Sequence, residues 1–302
     1  MNKILLLGAN GQVGWELQRS LSPLGYLTVC DRQGANLSDL AGLEQLIIRE
    51  RPDFIVNAGA YTAVDKAESD AEQARRVNAD AVAVLAHTAA KIGAWLVHYS
   101  TDYVFDGSGD SPKLEDAPTG PLGVYGQTKL EGELAIRESG CQHLILRTSW
   151  VYATRGSNFA RTMLRLARDR DELRVIADQT GAPTSAELIA DVTALILQRL
   201  AQEPELQQHS SGTYHLVASG ETSWHRYAQF VIAEAIRLGC ELRAKPEQIF
   251  AISTQEYPLP AKRPANSRLS NQKLQQTFNL VLPHWEYHVS RMIKELVDQG
   301  RV

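Results

Sequence analysis

Along the first half of the chain, apolar residues fall into short unbroken runs, and stretches with helical spacing separate them. The runs cover positions 3–7, 27–30, 53–57, 96–100, 143–147 and 173–176. Runs this short with little polar alternation are the mark of strands covered on both faces. Between them, apolar residues recur at helical intervals over 12–21, 40–50, 71–92 and 125–138. Strands and helices alternating through short connections demand right-handed crossovers, which predicts an α/β fold with a doubly wound, Rossmann-type parallel sheet. A further helical pattern at 185–200 packs back on that sheet.

The pattern changes beyond about residue 213. One long helix is expected at 224–238 and a last amphipathic one at 285–297, with a short apolar run at 249–252 and a proline-rich stretch at 257–264. This predicts a dinucleotide-binding domain over 1–150 that the helix at about 185–200 joins, and a smaller α/β substrate-binding lobe from about 151–184 and 201–302 at the sheet's carboxyl edge. The polar segment 202–212, with Pro204, His209, Ser210 and Ser211, reads as a surface connection.

Composition narrows the partners. The 302 residues carry a net charge of −4 with no basic block, which argues against a nucleic-acid polymer. No run approaches a membrane span, and the apolar run at 4–7 is too short for a signal-peptide core. Cys30, Cys141 and Cys240 lie far apart, as reduced thiols of a cytoplasmic protein do. His284 and His288 are four apart but lack a third metal ligand, and no Gly-x-Ser-x-Gly elbow occurs.

The candidate chemistry has two ends. After the first strand come Gly8, Asn10, Gly11, Gln12, Val13 and Gly14, opening a helix. Glycines there permit a tight turn and close backbone approach, and the helix N-terminus presents N–H groups to a pyrophosphate. The second strand ends at Asp31 and Arg32. A carboxylate suits the ribose of NADH and a guanidinium the 2′-phosphate of NADPH, so the sequence leaves both open. Ala58, Gly59, Ala60 and Tyr61 after the third strand, and Asn36 and Leu37 after the second, complete the cofactor candidates.

At the other end, Tyr125 and Lys129 share one face at the start of a helix. A neighbouring ammonium lowers a phenol's pKa, and the tyrosine can then protonate the oxygen of a ketone that receives hydride. Thr101, at the end of the fourth strand, offers a hydroxyl to the same oxygen, or simply a turn bond to the backbone. Trp150 reads equally as a core aromatic or as a ring that packs on substrate.

Taken together, the glycine turn, Asn57-Ala-Gly, Asn78, Thr101 and Tyr125-x-x-x-Lys129 resemble the extended short-chain dehydrogenases that act on nucleotide sugars. The blocks Ala63-Val-Asp-Lys-Ala-Glu68, Ser100-Thr-Asp-Tyr-Val-Phe105, Arg147-Thr-Ser-Trp-Val-Tyr152, Asp178-Gln-Thr-Gly-Ala-Pro-Thr184 and Arg263-Pro-x-Asn-Ser-Arg-Leu269 narrow this to the dTDP-4-dehydrorhamnose reductase family. The resemblance implies NAD(P)H-dependent reduction of the C4 ketone of dTDP-4-dehydro-L-rhamnose, for bacterial surface polysaccharide. It implies that Thr101 and Asp102 touch the sugar, that Trp150 packs on it, and that Asn158, Arg263 and Ser267 face the diphosphate. It also implies a homodimer with an interfacial Mg2+, for which Glu16 and Glu187 are the candidates. Two alternatives stand beside it: a reductase for another 4-keto sugar nucleotide, and a non-catalytic cofactor-binding regulatory subunit. A sugar-nucleotide dehydratase is disfavoured, because Tyr103 stands where those relatives carry a second carboxylate.

Overall fold

A computed structural model describes all 302 residues. The chain runs through β1 (Asn2–Leu7), α1 (Gln12–Leu21), β2 (Gly25–Cys30), α2 (Leu40–Glu50) and β3 (Phe54–Asn57). It continues through the short α3 (Val64–Ala67), α4 (Ala71–Arg75), α5 (Ala81–Ile92), β4 (Trp95–Thr101), α6 (Val124–Glu138) and β5 (His143–Thr148). These five strands and a sixth, Gly212–His215, form one parallel sheet in the order sixth, β5, β4, β3, β1, β2. Ile4 to Leu7 of β1 and all of β3 are buried because helices cover both faces. Leu43, Leu46 and Ile47 of α2, with buried residues of α5 and α6, form the apolar layer on one side. On the other side lies a larger cluster to which α1 and α8 (Ala186–Gln202) contribute, preceded in sequence by α7 (Phe159–Asp169). That cluster continues without a break into helices Trp224–Arg237 and Trp285–Asp298, so these late helices share the sheet's core.

Two sequence expectations need correcting. Leu173–Ile176 is a strand, but it pairs with Ile249–Ile252 in a separate two-stranded sheet. Its burial alternates, with Leu173 and Val175 inside and Arg174 outside, as expected of a strand covered on one face. The main sheet's last place goes instead to Gly212–His215, which lies parallel to β5. The segment read as a plain surface connection contains a helical turn and a half, Pro204–His209, with Pro204 at its first position.

A π-helical turn, Arg76–Asp80, joins α4 to α5 and turns Asn78 inward. The Asn78 side chain accepts from the Tyr61 N–H at 2.9 Å and donates to the Tyr61 carbonyl at 3.1 Å, which ties the loop after β3 in place. Helix α6 is fixed by charge as well as by packing. Glu133 is fully buried and takes two bonds from Arg147 of β5, Nε to Oε1 at 2.9 Å and Nη2 to Oε2 at 2.7 Å. Ser100 of β4 donates to the same carboxylate at 2.6 Å.

Candidate active site

The chain leaves β1 toward β2 on one side and later returns to β3 on the other, so the strand order switches between β1 and β3. Open sheets bind ligands at the carboxyl ends of strands around such a switch. A cleft of about 610 Å³ opens there, lined by the turn after β1, Ala58 to Ala60 after β3, and the ends of β4 and β5. Gly8 has φ +79°, and a β-carbon on it would collide with the backbone of Gly59. A β-carbon on Gly14 would strike the Gly8 carbonyl, so α1 can sit this close only with glycine there. No side chain caps α1, which leaves its first N–H groups free for an anion. This cradle fits a dinucleotide pyrophosphate.

At the ribose end the two candidates differ. The Asp31 carboxylate accepts from Gln33 N at 2.9 Å, Gly34 N at 3.0 Å and Asn10 Nδ2 at 3.1 Å. The Gly34 and Gln33 N–H groups hold it below the usual carboxylate range. Arg32 is exposed and lines the cleft. Leu37 packs over Gly59, while Asn36 turns its side chain to its own loop, accepting from Ser38 N at 3.1 Å. Tyr61 points its hydroxyl away, to Asp70 at 3.0 Å.

The chemistry end lines the same cleft. Thr101, Tyr125 and Lys129 all border it, with Tyr103 packed edge-on against Tyr125 at 5.5 Å. Burial pushes the Tyr125 phenol up to about 12, and the neighbouring Thr101 hydroxyl works the other way. The sequence led us to expect the Lys129 ammonium to lower this phenol. In the structure Lys129 turns from it, donating to the Tyr99 carbonyl at 2.7 Å and lying 3.0 Å from His98 Nε2. Thr101 also donates to Asp102 Oδ1 at 3.1 Å. Asp102 is 2% exposed, its Oδ2 has no partner, and burial pushes its carboxyl up to about 6.

Tyr103 and Trp150 form the wall between this cleft and a second, more apolar cavity of about 410 Å³. Trp150 adopts φ +47°, a left-handed conformation rare for a bulky residue. It stacks on Trp224 with ring centroids 3.6 Å apart, and Trp224 in turn donates to Gln179 at 3.1 Å. Ser267 lines this cavity, as does Arg263, which is paired bidentately with Asp65 at 2.7 and 3.0 Å. Trp224 and His98 were not singled out from the sequence. The first is one aromatic among several and the second a lone histidine inside a strand, so only the tertiary structure marks them.

Among the catalytic, substrate and metal candidates, three lie outside both cavities. Asn158 caps α7, accepting from Arg161 N at 3.1 Å, and its amide donates to the Ala153 carbonyl at 2.6 Å. Glu16 and Glu187 approach each other where α1 packs on α8. Burial and then Glu187 push the Glu16 carboxyl up. Glu187 is itself 3.6 Å from His288 and 3.7 Å from Arg291, and Glu16 is 3.7 Å from Arg19. No group of three or more ligating side chains that could hold a metal ion occurs within the chain. Two carboxylates already balanced by cations do not fit a divalent metal on one chain alone.

The comparisons agree with this architecture. The model of the RmlD substrate binding domain family matches residues 1–298. The dTDP-4-dehydrorhamnose reductase of Shigella flexneri is 53% identical over 297 residues, with 97% of each chain covered. That of Burkholderia thailandensis is 48% identical, covering 98% of this chain and all of its own. Among solved structures, the dTDP-4-dehydrorhamnose reductase of Bacillus anthracis in complex with NADP superposes with a TM-score of 0.86 at 31% identity, covering 98% of this chain and 100% of that one. Similarity along the whole length, together with a cleft that unites a dinucleotide turn with a Thr, Tyr and Lys group, has one meaning: the chain belongs to the dTDP-4-dehydrorhamnose reductase family of NAD(P)H-dependent oxidoreductases.

Proposed function

We propose that the protein reduces the C4 ketone of dTDP-4-dehydro-L-rhamnose to dTDP-L-rhamnose, a precursor of bacterial surface polysaccharide, with Tyr125 as the proton donor. One observation carries this: a single cavity holds both the anion-binding turn and the Thr101, Tyr125 and Lys129 side chains. When bound, NADPH supplies the hydride to the ketone carbon. With its pKa held up at about 12, the Tyr125 phenol is protonated at neutral pH and gives that proton to the developing alkoxide. Thr101 would bond the same oxygen, and with the cofactor bound the Lys129 ammonium would reach the nicotinamide ribose and draw the phenol back toward operating pH. Asp102 takes a sugar hydroxyl, Trp150, stacked on Trp224, packs on the sugar, and Arg263 and Ser267 face the diphosphate.

With Asp31 tied into its own turn and Arg32 free on the cleft, the cofactor reading favours NADPH. Purified protein with dTDP-4-dehydrorhamnose should oxidise NADPH, followed at the nicotinamide band, with a lower KM than for NADH. Losing a charge-assisted bond in Arg32→Ala should weaken NADPH by about 1.5–3 kcal/mol and leave NADH nearly unchanged. Absence of any NADPH oxidation would overturn the function, and equal losses for both cofactors would remove Arg32 from the 2′-phosphate.

A second expectation concerns the aromatic pocket. Trp150→Ala should raise the KM for the sugar nucleotide by about 1–3 kcal/mol of lost area and stacking, with cofactor affinity unchanged. Normal kinetics from a folded Trp150→Ala protein would make Trp150 a core ring only. We read the face around Glu16 and Glu187, with exposed Trp15 beside it, as the homodimer contact. Use of NADPH and a sugar nucleotide fits a cytoplasmic enzyme. No step of the mechanism needs Mg2+.

A further inference from the structure

Beneath the cleft, a file of buried side chains leads away from Lys129. His98 of β4 is 1% exposed and lies between Lys129 and Asn57, with Nε2 3.0 Å from Lys129 Nζ and Nδ1 3.1 Å from Asn57 Nδ2. Asn57 sets the direction of this file. Its Oδ1 accepts from the Gly59 N–H at 3.1 Å, so the atom it turns to His98 is the amide nitrogen. An amide nitrogen only donates. Nδ1 of His98 must therefore accept, and the ring proton sits on Nε2.

That proton points at Lys129. An ammonium has three donors and no lone pair, so it cannot share this contact with an N–H. A neutral amine can, accepting from Nε2–H while donating to the Tyr99 carbonyl at 2.7 Å. The other charges around Lys129 are Glu133, one turn further along α6, and Arg147 of β5 and Arg137, both bound to Glu133. Toward the cleft stand Tyr125 and, beyond it, Asp102. Burial pulls Lys129 down to about 8, with Glu133 opposing, and it holds His98 well below the ordinary histidine range.

We propose that His98 is a positioning residue for Lys129: its Nε2–H retains the neutral amine against β4, and a proton gained on cofactor binding releases the ammonium toward Tyr125. The proposal rests on the reading that Lys129 serves Tyr125 and the nicotinamide ribose. It adds that binding draws a proton from solvent, so cofactor affinity falls as pH rises past about 8.

Calorimetry of NADPH binding in buffers of different ionisation enthalpy counts that proton. The wild-type protein should take up close to one proton at pH 9 and only a small fraction of one at pH 7. In His98→Gln the amide oxygen can face the ammonium at any pH. Uptake at pH 9 should then fall to about half a proton, and the alkaline limb of kcat/KM should move up by about one pH unit. Nitrogen-15 NMR of the free wild-type protein at pH 9 should find His98 as the neutral Nε2–H tautomer. No uptake by wild type at pH 9, equal uptake by His98→Gln, or an Nδ1–H tautomer would each overturn the proposal. Should His98→Gln fail to fold, the two wild-type measurements still decide. Failure of the Tyr125 assignment would appear in Tyr125→Phe kinetics and leave the proton count untouched.

Discussion

Tyr125→Phe should lower turnover by about 10²–10⁴-fold, the range over which positioned general acids act. The change removes one hydroxyl and little volume. The residue sits at the second position of α6, and its ring packs edge-on against Tyr103, a contact phenylalanine keeps. Gly8 and Gly14, which shape the cofactor turn, are untouched. The loss should therefore fall on kcat, with NADPH affinity nearly unchanged, the pattern of an interaction made mainly in the transition state. Single-turnover hydride transfer at wild-type rate in a folded Tyr125→Phe protein would remove this residue from the mechanism.

Arg147→Met should cost about 3–5 kcal/mol of stability, because it strands the Glu133 carboxylate in the core. Arg147 is 1% exposed and supplies two of the four bonds that Glu133 accepts, with Ser100 and Arg137 giving the others. These partners outweigh burial and hold the Glu133 carboxyl below its ordinary value. A depressed carboxyl contributes stability above its unfolded pKa, about 4.3, and loses it as pH falls through the folded value. The wild-type advantage over Arg147→Met in urea should thus be full at pH 7 and shrink in acid. Unfolding free energies within about 1 kcal/mol of each other at pH 7 would show that Arg137 and Ser100 suffice.

Much of the fold was legible because its buried strands leave unbroken apolar runs. Helices at Gln12–Leu21 and Leu40–Glu50 have the bounds that periodicity gives. Pairing partners are another matter. Leu173–Ile176 announces a strand but not its sheet, and Gly212–His215 is only four residues long after a polar stretch. Helix α7 went unread although Phe159, Met163, Leu164 and Ala167 share one face. Asn158, given to the diphosphate by resemblance, is the cap that begins that helix. Tyr125 and Lys129 could be found from spacing. The direction in which Lys129 turns could not, because the groups it meets, His98 and the Tyr99 carbonyl, belong to β4.

The place of the last sheet strand bears on how the protein is made. β5 pairs on its outer side with residues roughly 70 positions downstream. At the ribosome, synthesis proceeds at about 5–20 residues per second, so the outer edge of β5 stays bare for about 3–14 seconds on each nascent chain. An open strand edge is a template for pairing with other chains. Slower synthesis between Thr148 and Gly212 should therefore lengthen that exposure, a cost that the stability of the finished enzyme does not report.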